Sequence, residues 1–177
     1  MALCATLAGI ALDCRDNVGG IETIYIQGVS GSISFTTPPV TGSVGVADIL
    51  FDSIAGTTTL AEFEKYDLVK QTGALSEAGT FSDENGTVFF TSTVTAVFNK
   101  MDAAKLTELY ALAVAAKLVV LVKDNNGVFW MIGNERGAVA TSSTEDTGTA
   151  FGDRNGITMV FTGIDNTPML KVDDITV

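Results

Sequence analysis

Without histidine, the groups in this chain of 177 residues whose spacing first suggests acid–base or metal chemistry are its carboxylates and two thiols. That absence removes the commonest general base, the commonest metal ligand and the physiological-pH switch together. The carboxylates include adjacent pairs at Asp83-Glu84, Glu145-Asp146 and Asp173-Asp174. Paired carboxylates can divide acid and base duties or share a calcium ion, provided both reach one point. Neighbours on a strand point to opposite faces, and in loops they are normally solvated. Asp13 with Asp16 is a similar case. Asp124-Asn125-Asn126-Gly127 lacks the alternating carboxylates and terminal Glu of an EF-hand, so a turn is the better reading. Nine residues separate Cys4 from Cys14, which is no zinc spacing, and an all-cysteine zinc set needs four. They read as two buried thiols, with a disulfide as the other option. No nucleophile elbow, P-loop, dinucleotide fingerprint or C-x-x-C pair occurs. Nothing here calls for a catalytic residue, a cofactor or a metal, and an enzyme is the least favoured reading.

Charge narrows the partners. Twenty-one acidic against ten basic residues give a net charge of −11, which argues against nucleic-acid binding by phosphate neutralisation. The carboxylates are scattered, so the excess is not an acidic tail. It reads either as ordinary solubility or as a surface that must not stick to DNA. With 46% hydrophobic residues the chain can fill the core of one domain spanning 1–177. Met1-Ala2-Leu3-Cys4 carries no positive charge of the kind that opens a signal peptide, so assembly in a cytoplasm is expected. No apolar run approaches the ~18 residues of a membrane span, and no membrane partner is expected.

The elements behind these groups are mostly strands. Along 86–98, Val88, Phe90, Val94, Ala96 and Phe98 alternate with Thr87, Phe89, Thr91, Thr93, Thr95 and Val97, the pattern of a strand with one face buried and one wet. The period then switches. Between Met101 and Lys117, Leu106, Leu109, Tyr110 and Ala113 recur at helical spacing, with Asn99 as N-cap. Leu118–Lys123 and Val128–Gly133 flank the 124–127 turn as a hairpin. Within it Trp130 is either a core residue or a subunit contact. Strands are expected at 22–27, 32–36, 157–161 and 169–177, with shorter ones near 44–51 and 137–141. A further strand within 60–75 should pair with 86–98. Ser142–Asp153 reads as a long polar loop, of a length usually functional. The expected fold class is mainly β: two packed antiparallel sheets, a sandwich or partly closed barrel, with one principal α-helix. The expected core includes Val88, Phe90, Val94, Phe98, Leu106, Leu109, Tyr110, Val120 and Val122.

The order of these elements, with "NKMDAAKLTELYALAVAAKLVVLVKD", "NNGVFWMIGNERG" and "FGDRNGITMVFTGIDNTPM", resembles tail tube proteins of tailed bacteriophages. The opening "GIALDCRDNVGGIETIYI" is similar to the start of such proteins in phages of Bacteroidetes hosts, including the tail-ring proteins of crAss-like phages. The resemblance covers most of the chain and contains no catalytic motif. It implies a structural virion protein, assembled in the host cytoplasm into rings, hexameric or higher. In such rings strands of neighbouring copies form a barrel, and double-stranded DNA passes through without specific binding. Other tail or portal-proximal proteins are the implied partners.

Carried onto this sequence, the implied lumen would be lined by Thr91, Thr93 and Thr95, made acidic by Glu62 and Glu64 on neighbouring strands. Subunit contacts would come from Thr144, Glu145, Asp146 and Thr147 in the long loop and from Asp83 and Glu84 in the 76–86 turn. Two other classes fit the absence of chemistry: a capsid decoration or head–tail joining protein of a phage, and a secreted adhesin, which the N-terminus disfavours.

Overall fold

The computed structural model describes residues 17–29, 49–50 and 63–173. Ten strands and one helix follow in order: β1 (Ile21–Gly28), β2 (Ile49–Leu50), β3 (Glu64–Asp67), β4 (Ala74–Ser82), β5 (Thr87–Asn99), α1 (Ala103–Val114), β6 (Leu118–Asp124), β7 (Phe129–Ile132), β8 (Ala138–Asp146), β9 (Gly156–Asp165) and β10 (Leu170–Asp173). The fold is mainly β with one helix. All strands belong to one hydrogen-bonded network, which does not close into a barrel. Within it two leaves are recognisable. One runs β3-β1-β6-β7-β10-β2; the other runs β4-β5-β9-β8. Between them the ladder is reduced to one rung, Leu118 opposite Ala138. The two expected sheets are thus joined at a corner. All pairings are antiparallel except β2 with β10.

The run Leu118-Val119-Val120-Leu121-Val122 is apolar without alternation, and a strand of that kind must be covered on both sides. It is. Val120 and Val122 join Ile24, Ile26, Val94, Ala96, Phe98, Ile157, Met159 and Phe161 in the core between the leaves. Val119 and Leu121 face the other way, into a second core with Tyr25, Phe63, Met131 and Val172. By contrast, the alternating β5 buries Val94, Ala96 and Phe98 and leaves Thr91, Thr93 and Thr95 half-covered on the outer face. At the corner Gly133 (φ +76°) lets the chain turn from β7 into β8; a Cβ there would sit 2.4 Å from the Ala138 nitrogen and 2.8 Å from the Leu118 carbonyl oxygen.

Several expectations change. β5 pairs with 74–82 rather than with a strand inside 60–75, and 64–67 pairs with β1 instead. The strand near 137–141 extends to Asp146, because Ser142, Ser143, Thr144, Glu145 and Asp146 continue the ladder with β9 past a bulge. The loop proper is therefore 147–155. The helix is capped by Asp102, whose carboxylate accepts the Lys105 N–H at 2.9 Å, while Asn99 is the last residue of β5. The start at Asp102 sets the buried stripe at Leu109 and Leu112, with Met101 packed alongside. Leu106 and Tyr110, expected in the core, are exposed. So is Val88, which lies beyond the last residue of β5 paired with β9. The strands expected at 32–36 and over most of 44–51 lie outside the described residues, as do Asp13, Asp16, Cys4, Cys14 and Asp174.

Candidate assembly surface

The four-stranded leaf carries every described candidate residue except Glu64. Its strands alternate strictly in direction, β4 up, β5 down, β9 up, β8 down. Two turns close its opposite ends. Residues 83–86, with Asp83 and Glu84 exposed, join β4 to β5 at one end, and 147–155 joins β8 to β9 at the other. The contact residues inferred from the sequence are therefore split between the two ends of one leaf. Thr144, Glu145 and Asp146 are exposed on β8, and exposed Thr147 follows them.

The outer face is built by register. Thr93 stands opposite both Ser76 and Thr162, Thr95 opposite Ala74 and Val160, and Thr91 opposite Ala78 and Ile164. On β8, Val139, Ser142 and Thr144 continue these rows. The Thr141 hydroxyl lies 3.1 Å from that of Thr162. No residue in these rows is charged. Arg154 reaches the lower margin, where it donates to the Thr158 hydroxyl at 3.0 Å, and Asp146 lies there too. Glu64 does not join this face. It lies on β3 opposite Ile26, in the other leaf. Glu62 is outside the described residues. The Thr rows are thus neutral, whereas an acidic surface was expected, and carboxylates stand at their ends.

Both margins of the leaf are long strands. Among the described residues, β4 is paired only with β5, and β8 beyond Ala138 only with β9. Side chains along β8 from Thr141 to Asp146 are all exposed. A soluble monomer protects such edges with charge, proline or a cover; β4 offers only Glu77, and that carboxylate is turned to internal work. It accepts the Ser92 hydroxyl at 2.9 Å and the Met169 N–H at 2.6 Å, tying the β9–β10 connection to the leaf.

Two carboxylates near the tips are spent on structure. Asp153 accepts the N–H groups of Ala150 and Thr149 at 2.7 and 2.8 Å, which hold its carboxyl below the usual carboxylate range. Asp124 accepts the N–H of Asn126 and Val128 and, through its other oxygen, the Trp130 indole N–H at 3.1 Å. The 124–127 segment is therefore a turn, and Trp130 packs half-buried against the first core. Asp165 is buried; loss of water raises its pKa against the opposing Arg136 N–H, which donates at 3.0 Å. Among the described residues no three acidic or thiol side chains converge as a metal site, and no helix is long and apolar enough to cross a membrane.

One feature was missed by reading the sequence. Phe151, at 113% relative exposure, stands at the tip of the 147–155 turn. Its signal was an aromatic isolated among Gly, Thr and Asp. The exposed helix row Leu106, Tyr110 and Val114, at i, i+4 and i+8, is equally legible as an apolar stripe, but from the sequence Leu106 and Tyr110 are expected in the core and Val114 is left unassigned. No family model, curated protein or solved structure matches this chain.

Proposed function

We propose that this chain is the structural subunit of a bacteriophage tail tube or tail ring, assembling into a closed homo-oligomeric ring through which DNA passes. The observation that carries the reading is the pair of open margins. Because the leaf has an even number of alternating strands, β8 of one copy laid against β4 of the next continues the antiparallel pattern. One patch then meets a different patch on the next copy, a heterologous contact that closes into a ring when the rotation permits. Edge pairing would also cover the hydrogen-bonding groups that a monomer leaves open.

In such a ring the threonine face is the surface toward the channel. Hydroxyls hold no fixed charge, so a passing phosphate backbone meets no cation to neutralise it and no deep electrostatic minimum. Asp83 and Glu84 at one end and Asp146 at the other would repel phosphates at the mouths and at the joints between stacked rings. Expected by negative-stain microscopy of the purified protein are rings or short tubes. Monodisperse monomers at high concentration would overturn the proposal.

A further inference from the structure

The ring reading leaves Phe151 without a role, although it is the most exposed of the large apolar side chains among the described residues and stands alone in a turn of small and polar residues. Its turn is not slack. The Asp153 side chain accepts two backbone N–H groups, Asp146 Oδ1 accepts the Gly148 N–H at 2.8 Å, and the Asp153 N–H donates to the Ala150 carbonyl at 3.0 Å. Gly148 (φ +68°) sits where a Cβ would lie 2.3 Å from that of Asp153. A rigid turn with an aromatic tip has little entropy left to lose when it docks.

Strand heights say where the tip arrives. Asp146 and Asn99 both stand opposite Gly156, so the lower end of β8 is level with the end of β5. On the opposite margin Ala74 is level with Thr95, and the Val69 N–H donates to the Val97 carbonyl. A neighbour set edge to edge therefore presents residues 68–75, not the body of β4, to the lower half of β8 and its turn. That corner borders a cleft of about 420 Å³ whose walls include Val18, Ile21, Ala74, Leu75, Trp130 and Met169. Exposed Lys70 lies on the same corner and Asp124 lines the cleft, while the turn side carries Glu145, Asp146 and Asp153 against one cation, Arg154, and is net acidic. An aromatic knob on a net acidic turn thus faces a largely apolar cleft with a lysine at its corner, in the direction that ring closure requires.

We propose that Phe151 is the anchor of the subunit contact, seated in the cleft beside residues 68–75 of the next copy. The proposal rests on the ring reading above and names its hot spot. The test places a photoreactive benzoyl-phenylalanine at position 151 and mixes isotopically heavy and light chains before irradiation. Expected are heavy–light cross-links mapping to 66–75 or to the peptide around Trp130. In parallel, Phe151→Ala should keep the monomer's circular dichroism and raise the concentration needed for ring formation roughly thirty-fold or more. Rings whose cross-links map elsewhere, or which form equally well from Phe151→Ala, would overturn the anchor and leave the ring reading standing. Monomers alone, with no heavy–light cross-links at any concentration, would overturn both.

Discussion

The two leaves of this molecule bury themselves differently. The leaf around β1, β6 and β7 is covered on both faces, with Val119, Val120, Leu121 and Val122 all without solvent exposure. The leaf of β4, β5, β9 and β8 is buried on one face and only half-covered on the other, and its margins are unpaired along β4 and along β8 beyond Ala138, with α1 lying against β8. What is sealed on two sides can only stabilise; what is sealed on one side is stabilised and still has a surface to offer. The first leaf is the anchor of the fold, and the second is the part available to partners.

The comparison breaks most easily at its deep end. Leu121→Ala removes a fully buried side chain from the second core and should destabilise by about 2–5 kcal/mol. Thr93→Ala, on the half-covered outer face of β5, should fall within about 0.5 kcal/mol of the parent. Chemical denaturation of both variants decides the matter. Equal losses would mean that the outer face of the second leaf is covered after all.

A sharper test addresses the corner that joins the leaves. Gly133→Ala forces a left-handed residue and a Cβ into the Ala138 nitrogen and Leu118 carbonyl. The dihedral alone costs about 1–3 kcal/mol, and relieving the contact must shift the Leu118–Ala138 rung. Hydrogen exchange should show protection lost first in β8, with β1 and β6 retaining theirs. Uniform loss across both leaves would show that the corner is not a seam.

This difference between leaves was legible in the sequence to an unequal degree. The unbroken apolar run of β6 and the alternation of β5 state directly how many faces each strand buries. On β5 the alternation held through the middle, with Val94, Ala96 and Phe98 inside and Thr91, Thr93 and Thr95 outside, and failed at the ends, where Val88 is exposed, Phe90 is half-buried and Val97, expected on the wet face, is buried. The helix was harder. Leu106, Leu109, Leu112, Tyr110 and Val114 supply apolar residues around most of α1, so which row meets the core depends on where the helix starts, and Asp102 rather than Asn99 sets that. The extent of β8 was illegible because Ser142, Ser143, Thr144, Glu145 and Asp146 are polar; a strand at an open margin needs only one partner and no buried face. Glu64 was grouped with the threonines because sequence proximity suggested pairing with β5, whereas β3 pairs with β1 across the sandwich.

The outer face itself allows a functional contrast with little effect on stability. Replacing Thr91, Thr93 and Thr95 by Lys leaves the buried side of β5 untouched, and each substitution should change stability by no more than roughly 0.5 kcal/mol. If the face lines a channel, rings carrying these lysines should retain DNA, with affinity falling steeply as salt rises. Rings that bind DNA no better than the parent at low salt would place the threonines elsewhere.

The smallest expected effect concerns the tip of the open leaf. Asp153 accepts the Ala150 and Thr149 N–H groups more strongly as a carboxylate than as a neutral acid, so its folded pKa is depressed. A depressed carboxylate contributes order that is fully present above its ordinary pKa of about 3.9 and is lost as pH falls through the lower folded value. The 147–155 turn should therefore keep constant amide protection from neutral pH down to about pH 5 and loosen only under stronger acid. Asp165 provides the opposite sign within the same leaf: burial raises its pKa, so it favours the folded state when protonated and loses that advantage as pH rises through the folded value. Proton NMR across pH 2–7 should thus show the tip loosening at the acid end while the Asp165 region shifts above the ordinary carboxylate range. Asp153→Asn should abolish the first transition and spare the second. A tip that loosens at the same pH in that variant would mean its rigidity comes from the backbone alone, and that the presentation of Phe151 does not depend on the carboxylate.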